Sequence, residues 1–143
     1  MCGISGYLGQ DTISNLTIKK TLTLMKNRGP DNQSFININN SQRLSLLHSR
    51  LNIIDLKERS NQPMKFNDNI LIFNGEIYNY LELRKILLRK GYTFYTKSDT
   101  EVLLKCYSEF GEKTNSYLEG MWSYAIYDIK KSKLILSRDR FGE

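Results

Sequence analysis

The sequence predicts a layered α+β domain, on three observations. Strand-prone segments occur as strand–turn–strand pairs of chain neighbours, the helical signals collect in the middle, and the order runs strands, helices, strands. An alternating parallel α/β architecture would instead interleave each strand with a helix.

Taken in order, Cys2 to Leu8 is short, apolar and punctuated by glycine, which reads as a buried strand beginning at the first residue. From Leu16 to Lys26, Ile18, Leu22 and Met25 recur at i, i+4 and i+7 and give a helix one apolar face. Arg28-Gly29-Pro30-Asp31 then stops the helix in a loop. Ser34 to Ile38 and Arg43 to Leu47 flank an Asn-rich turn as a hairpin. Ile70 to Phe73 is a further strand that ends at Asn74-Gly75; Tyr80, Leu83 and Leu87 follow at helical spacing, with Gly91 where a C-cap glycine belongs. Ser98 with Glu101 three residues on has the form of a capping box, and Leu103, Tyr107 and Phe110 mark that helix's buried side. Met121 to Tyr127 and Lys133 to Ser137 make a last hairpin. The sequence stops at Arg140-Phe141-Gly142-Glu143, directly after a strand, so the domain is expected to be incomplete at its C-terminus.

Composition narrows the function classes. With 143 residues, 40% of them apolar, there is material for one core. The 21 Lys and Arg exceed the 15 Asp and Glu but are scattered, so no nucleic-acid partner is expected. No apolar run reaches the ~20 residues that span a bilayer, so no membrane partner is expected either. Two cysteines and no basic-then-apolar leader predict a cytoplasmic, reducing location. A single histidine and two distant cysteines form no metal-ligand cluster, and no phosphate-cradling glycine loop is present.

Cys2 follows the initiator methionine, and removal of Met1 leaves its thiol beside a free α-amine. That amine has a reference pKa near ~7.7 to 8.0, so a useful fraction is neutral at pH 7 and able to take the thiol proton. One residue then supplies nucleophile and base; the alternative is a small core cysteine that happens to come second. Asn74-Gly75 can offer a side-chain amide and an unobstructed backbone N–H to a developing oxyanion, or can be a simple turn. An amino-acid substrate calls for a guanidinium fork and for carboxylates, and Arg50, Glu76 and Asp99 are candidates. Each is otherwise a surface charge or, for Asp99, a helix N-cap. His48 is expected to be structural and Cys106 to be core.

The ordered motifs Met1-Cys2-Gly3-Ile4, Arg28-Gly29-Pro30-Asp31, His48-Ser49-Arg50-Leu51 with Ile54-Asp55, and Gln62-Pro63-Met64 continue through the rest of the chain. They are followed by Asn74-Gly75-Glu76-Ile77-Tyr78-Asn79, Ser98-Asp99-Thr100-Glu101, Gly120-Met121-Trp122-Ser123-Tyr124-Ala125 with Tyr127-Asp128, and Arg138-Asp139-Arg140-Phe141-Gly142. As a set, the chain resembles the class II, N-terminal-nucleophile glutamine amidotransferases, and within them the glutaminase domain of glutamine-hydrolysing asparagine synthetases.

The resemblance implies a four-layer αββα N-terminal-nucleophile sandwich, C-terminally truncated, over residues 1–143. Cys2 would attack the side-chain amide of L-glutamine, its own amine would shuttle the proton, and Asn74 and Gly75 would stabilise the oxyanion. Arg50 would bind the substrate carboxylate beside Leu51, Asn52, Ile53 and Ile54, while Glu76 and Asp99 would hold the ammonium. A γ-glutamyl thioester then hydrolyses to glutamate and ammonia. No cofactor is implied for this chain. ATP and magnesium belong to a C-terminal synthetase domain, absent here, that converts aspartate to asparagine, and the parent would be a homodimer. A different carboxylate acceptor, or a catalytically silent fragment, remain the other readings.

Overall fold

The computed structural model describes residues 1–39 and 42–142. Its strands are β1 (Gly3–Gly9), β2 (Asn32–Asn39), β3 (Arg43–Arg50), β4 (Met64–Phe66), β5 (Asn69–Ile77), β6 (Gly120–Asp128) and β7 (Lys133–Arg138). Its α-helices are α1 (Asn15–Met25), α2 (Tyr80–Arg89) and α3 (Asp99–Phe110). The strands form two antiparallel sheets, ordered β1-β3-β2 and β4-β5-β6-β7.

The period of two along each strand divides the core into layers. On β3, Leu44 and Leu46 pack with Ile4, Ile36 and Ile38 against Ile70 and Ile72 of β5 and Ala125 and Tyr127 of β6, filling the gap between the sheets. Leu47 points the other way, onto Ile18 and Leu22 of α1. Leu71, Phe73, Trp122, Tyr124 and Ile126 line the outer face of the second sheet, where Leu83 and Leu87 of α2 and Val102, Leu103 and Cys106 of α3 cover them. The result is α1, sheet, sheet, α2 with α3: the four-layer αββα sandwich.

Local chemistry explains the helix ends. Ser14 caps α1 by accepting the Thr17 N–H, and Ser98 caps α3 by accepting the Glu101 N–H. Gly91, at φ 90, lets the Tyr92 N–H reach Leu87 O and the Gly91 N–H reach Leu88 O, the paired bonds of a Schellman stop. Only half of the expected capping box forms. Glu101 turns away from the Ser98 N–H and takes the Tyr95 and Thr96 N–H groups and the Lys105 ammonium instead.

Three expectations need correction, and one strand is additional. The first strand pairs with β3 and not with its chain neighbour β2, because α1 intervenes and carries the chain across. Asn74-Gly75 does not end its strand, since β5 continues to Ile77. It passes there because Gly75 (φ 148) and Gly120 (φ 142) each let the backbone of the adjacent strand come close; a Cβ on Gly75 would lie 2.2 Å from Met121 O, and one on Gly120 2.1 Å from Glu76 O. Asp99 is the first residue of α3, and Ser98 is its N-cap. The short β4 carries no sequence signal of its own and exists because β5 offers it an edge. The Asn-rich turn expected after β2 falls partly on residues 40 and 41, outside the described residues.

Candidate active site

Alternation along the strands decides which polar side chains meet. Cys2 shares the face of Ile4; His48 and Arg50 share that of Leu44 and Leu46; Asn74 shares that of Ile70 and Ile72. All of these faces look into the gap between the sheets. At one end of the gap a cavity of about 60 Å³ is lined by Met1, Cys2, Arg50, Leu51, Ile53, Ile54, Ser60, Gln62, Phe73, Gly75, Glu76, Ser98, Asp99, Thr100 and Met121. Eight of the ten residues singled out from the sequence therefore border one space; Asn52 and Asn74 are not in its lining.

The thiol sits at the mouth of β3. Cys2 Sγ accepts the Leu51 N–H at 3.4 Å and lies 3.8 Å from Leu51 O. Arg28 Nε donates to Cys2 O at 3.1 Å, so the arginine of the first loop motif holds the N-terminal residue in place. The last residue of that motif, Asp31, accepts the Asn52 N–H at 2.7 Å and starts the next loop.

The open edge of β5 supplies the donor. Phe73 N–H is taken by Gln62 Oε1 at 2.6 Å, and Ile77 N–H by Asp99 Oδ2 at 3.2 Å. Gly75 lies between them, opposite Trp122, whose own N–H and C=O go to Asp139 on the far side of β6. Gly75 and Trp122 are therefore a non-hydrogen-bonded pair, and the Gly75 N–H leaves β5 on the cavity side, beyond the end of β4. The Asn74 Oδ1 is buried with no partner among the described residues.

Charges at the site follow from burial. Burial raises the Asp99 carboxyl to about 6 with the nearby Glu76 adding to the rise, against the Ile77 and Thr100 N–H bonds that lower it. Burial likewise lowers His48 to about 4, opposed by its bond from Nε2 to Phe73 O at 3.1 Å, so the ring is neutral and structural as expected. Arg50 is pulled below its ordinary value by burial, with the Cys2, Asp55 and Asp31 charges acting against the fall. Its guanidinium is wrapped by its own loop: Nη1 donates to Lys57 O (3.0 Å) and Asn61 Oδ1 (2.8 Å), and Nη2 to Ile54 O (3.4 Å) and Asp55 O. Cys106 is fully buried and its thiol is pushed up to about 12, a core residue without reactivity.

Sequence reasoning assigns no role to Arg28, Asp31, Asp55, Gln62 or Asp139, although each stands in a recognised motif. The signal available is a charged or amide side chain set inside an otherwise apolar or glycine-rich string. Each has a backbone partner far along the chain, which no local pattern reveals, although Asp55 and Asp139 also hold N–H groups two or three residues on. Among the described residues no group of three or more His, Cys, Asp or Glu could hold a metal ion, and no helix is long and apolar enough to cross a membrane.

Residues 1–143 match the glutamine amidotransferase domain family. The chain is 38% identical over 149 residues to the glutamine-hydrolyzing asparagine synthetase 1 of Bacillus subtilis, covering 99% of this chain and 23% of that protein. It is 37% identical over 147 residues to the glutamine-hydrolyzing asparagine synthetase B of Escherichia coli, covering 99% of this chain and 27% of that one. It thus spans about a quarter of the length of these curated relatives. Among solved structures, glutamine phosphoribosylpyrophosphate amidotransferase from B. subtilis superposes with a TM-score of 0.73 at 18% identity, over 95% of this chain and 37% of that one. At that identity the likeness speaks for the fold.

Proposed function

We propose, given that this chain belongs to the glutamine amidotransferase domain family, that it hydrolyses the side-chain amide of L-glutamine through a thioester on Cys2. The observation that carries the reading is that the Cys2 thiol, the open Gly75 N–H and the charges of Arg50, Glu76 and Asp99 border a single cavity. Ligand pockets usually measure ~300 to 1,000 Å³, and this one is smaller with Met1 in its wall. Loss of Met1 enlarges it and leaves the Cys2 α-amine beside its own sulfur.

The chemistry then follows from the residues. The neutral α-amine takes the thiol proton and the thiolate attacks the amide carbon. The oxygen gains negative charge and is met by the Gly75 N–H and the Asn74 amide. Collapse breaks the C–N bond as the ammonium returns its proton to the leaving nitrogen, giving ammonia and a γ-glutamyl thioester. Water, deprotonated by the same amine, cleaves the thioester to glutamate and restores the thiol. Arg50 at one wall and Glu76 with Asp99 at the other suit the carboxylate and ammonium of the substrate, and Leu51 to Ile54 suit its methylene stem.

In the longer parent, a synthetase domain using ATP and magnesium would consume the ammonia to convert aspartate to asparagine; the supports are the asparagine synthetases that this chain resembles over their first quarter. A cytoplasmic location and a homodimeric parent belong to the same proposal, the former supported by two free cysteines. The test is glutamate and ammonia release from glutamine by protein whose intact mass lacks Met1, with Cys2→Ala as control. Release by Cys2→Ala, or activity in protein that retains Met1, would defeat the mechanism.

A further inference from the structure

Asp55 has a geometry that a surface loop does not require. It holds a left-handed backbone conformation (φ 52) that non-glycine residues rarely adopt, and its carboxylate is almost enclosed, its side chain 3% exposed. Four donors converge on it: the Lys97 N–H at 2.7 Å, the Lys57 N–H at 3.3 Å, and Arg59 through Nε at 3.1 Å and Nη2 at 2.9 Å. Its own carbonyl oxygen accepts from Arg50 Nη2.

These bonds connect the two walls of the cavity. Ile53, Ile54 and Arg50 form one wall, and Asp55 follows them directly. Ser98, Asp99 and Thr100 form the other, and Lys97 precedes them directly. The Lys97 N–H to Asp55 bond spans 42 residues of sequence between them. A lone surface ion pair with Arg59 would contribute little and fix nothing at this distance. Two backbone N–H bonds and an arginine fork that share one charged carboxylate, itself 3% exposed, do fix it, because charge-assisted bonds from three directions hold a single acceptor in place.

We propose that Asp55 is a positioning residue for the glutamine site: it clamps the loop that carries Arg50, Ile53 and Ile54 to the N-terminus of the helix that carries Asp99, and so sets the spacing between the groups that receive the substrate carboxylate and ammonium. The inference rests on the glutaminase reading above. It touches neither the sulfur nor the oxyanion donors, so it governs how glutamine is held and not how the thiol reacts. Burial alone would raise the Asp55 carboxyl, but the Lys97 N–H, Arg59 and the Lys57 N–H keep it at about 2, and the clamp is therefore closed throughout the neutral range.

The test compares two reagents on Cys2 of the Met1-free chain: iodoacetamide, which needs only an accessible thiol, and a diazoketone analogue of glutamine, which needs the amino-acid pocket. In Asp55→Asn, labelling by the analogue should slow and KM for glutamine rise about tenfold, as expected for losing one charge-assisted contact, with kcat and the iodoacetamide rate unchanged. Arg59→Ala keeps the Lys97 bond and should change KM less than about threefold, as for an exposed pair. General loosening of the fold would raise both labelling rates together and overturns the clamp, as does an Asp55→Asn protein with wild-type KM. Wild-type protein that reacts with iodoacetamide but not with the analogue would instead remove the glutaminase reading itself.

Discussion

Asp99→Asn separates what Asp99 does for the substrate from what its burial does to the fold. The carboxyl is raised from 3.8 to about 6, so the folded protein binds its proton more tightly than the unfolded chain does. The charged form that prevails above pH 6 is the unfavourable one, and the difference of roughly two units is worth about 3 kcal/mol against folding. That cost is present at neutral pH and disappears as pH falls from about 6 toward 3.8. His48 runs oppositely: lowered to about 4, it adds stability above 6.5 that is lost as pH falls toward 4. In the wild type the two slopes offset one another. The amide that replaces the carboxylate carries no charge and has a single oxygen, so it keeps the Ile77 N–H and gives up the buried Thr100 N–H. With the stranded Thr100 N–H costing roughly 1 kcal/mol or more, the variant should be more stable than wild type by no more than about 2 kcal/mol near pH 7.5, and the difference should fall by about 2 kcal/mol near pH 4.5. It should also turn over glutamine poorly, through a raised KM. Urea unfolding at the two pH values measures the first part and a glutamate assay the second. A variant destabilised equally at both pH values would refute the account, because it would make Asp99 a net structural support.

Other outcomes follow from single contacts. Gly75→Ala places a Cβ 2.2 Å from Met121 O at φ 148 and should lower stability by at least ~2 kcal/mol, read as a drop in melting temperature; an unchanged melt would show that β5 and β6 do not need this close approach. Gln62→Ala strands the buried Phe73 N–H and should cost ~1 to 3 kcal/mol by urea midpoint, with no change expected only if water replaces the amide. In a thiol titration near pH 8, Cys2 should react promptly and Cys106, buried and raised to about 12, only after denaturation. Two fast thiols would contradict the core placement of Cys106. Arg28→Ala, which frees Cys2 O, should reduce kcat while shifting the melting temperature little, since Arg28 is exposed.

Strand periodicity and helix caps are local, and they were legible in the chain. Ile18 and Leu22, Leu83 and Leu87, and the Ser98 cap all lie where spacing placed them, because those interactions span only a few residues. The motif set also marked Cys2, Arg50, Gly75, Glu76 and Asp99 before any geometry was known. The misplaced details share one cause. Whether Asn74-Gly75 turns or runs on depends on the β6 backbone at Met121 and Trp122, and whether β1 pairs with β2 or β3 depends on where α1 packs; both are contacts between segments far apart in the chain.

By itself, then, the sequence determined the elements, the faces they bury and a thiol beside the chain's start. Tertiary structure alone decided that the ends of β1, β3, β5 and α3 converge, so that one N–H of β5 has no partner among the described residues and one carboxylate loses enough water to be raised to about 6. Spacing along a strand fixes direction, but desolvation and an unpaired donor are properties of what surrounds a group, and those surroundings come from distant parts of the chain.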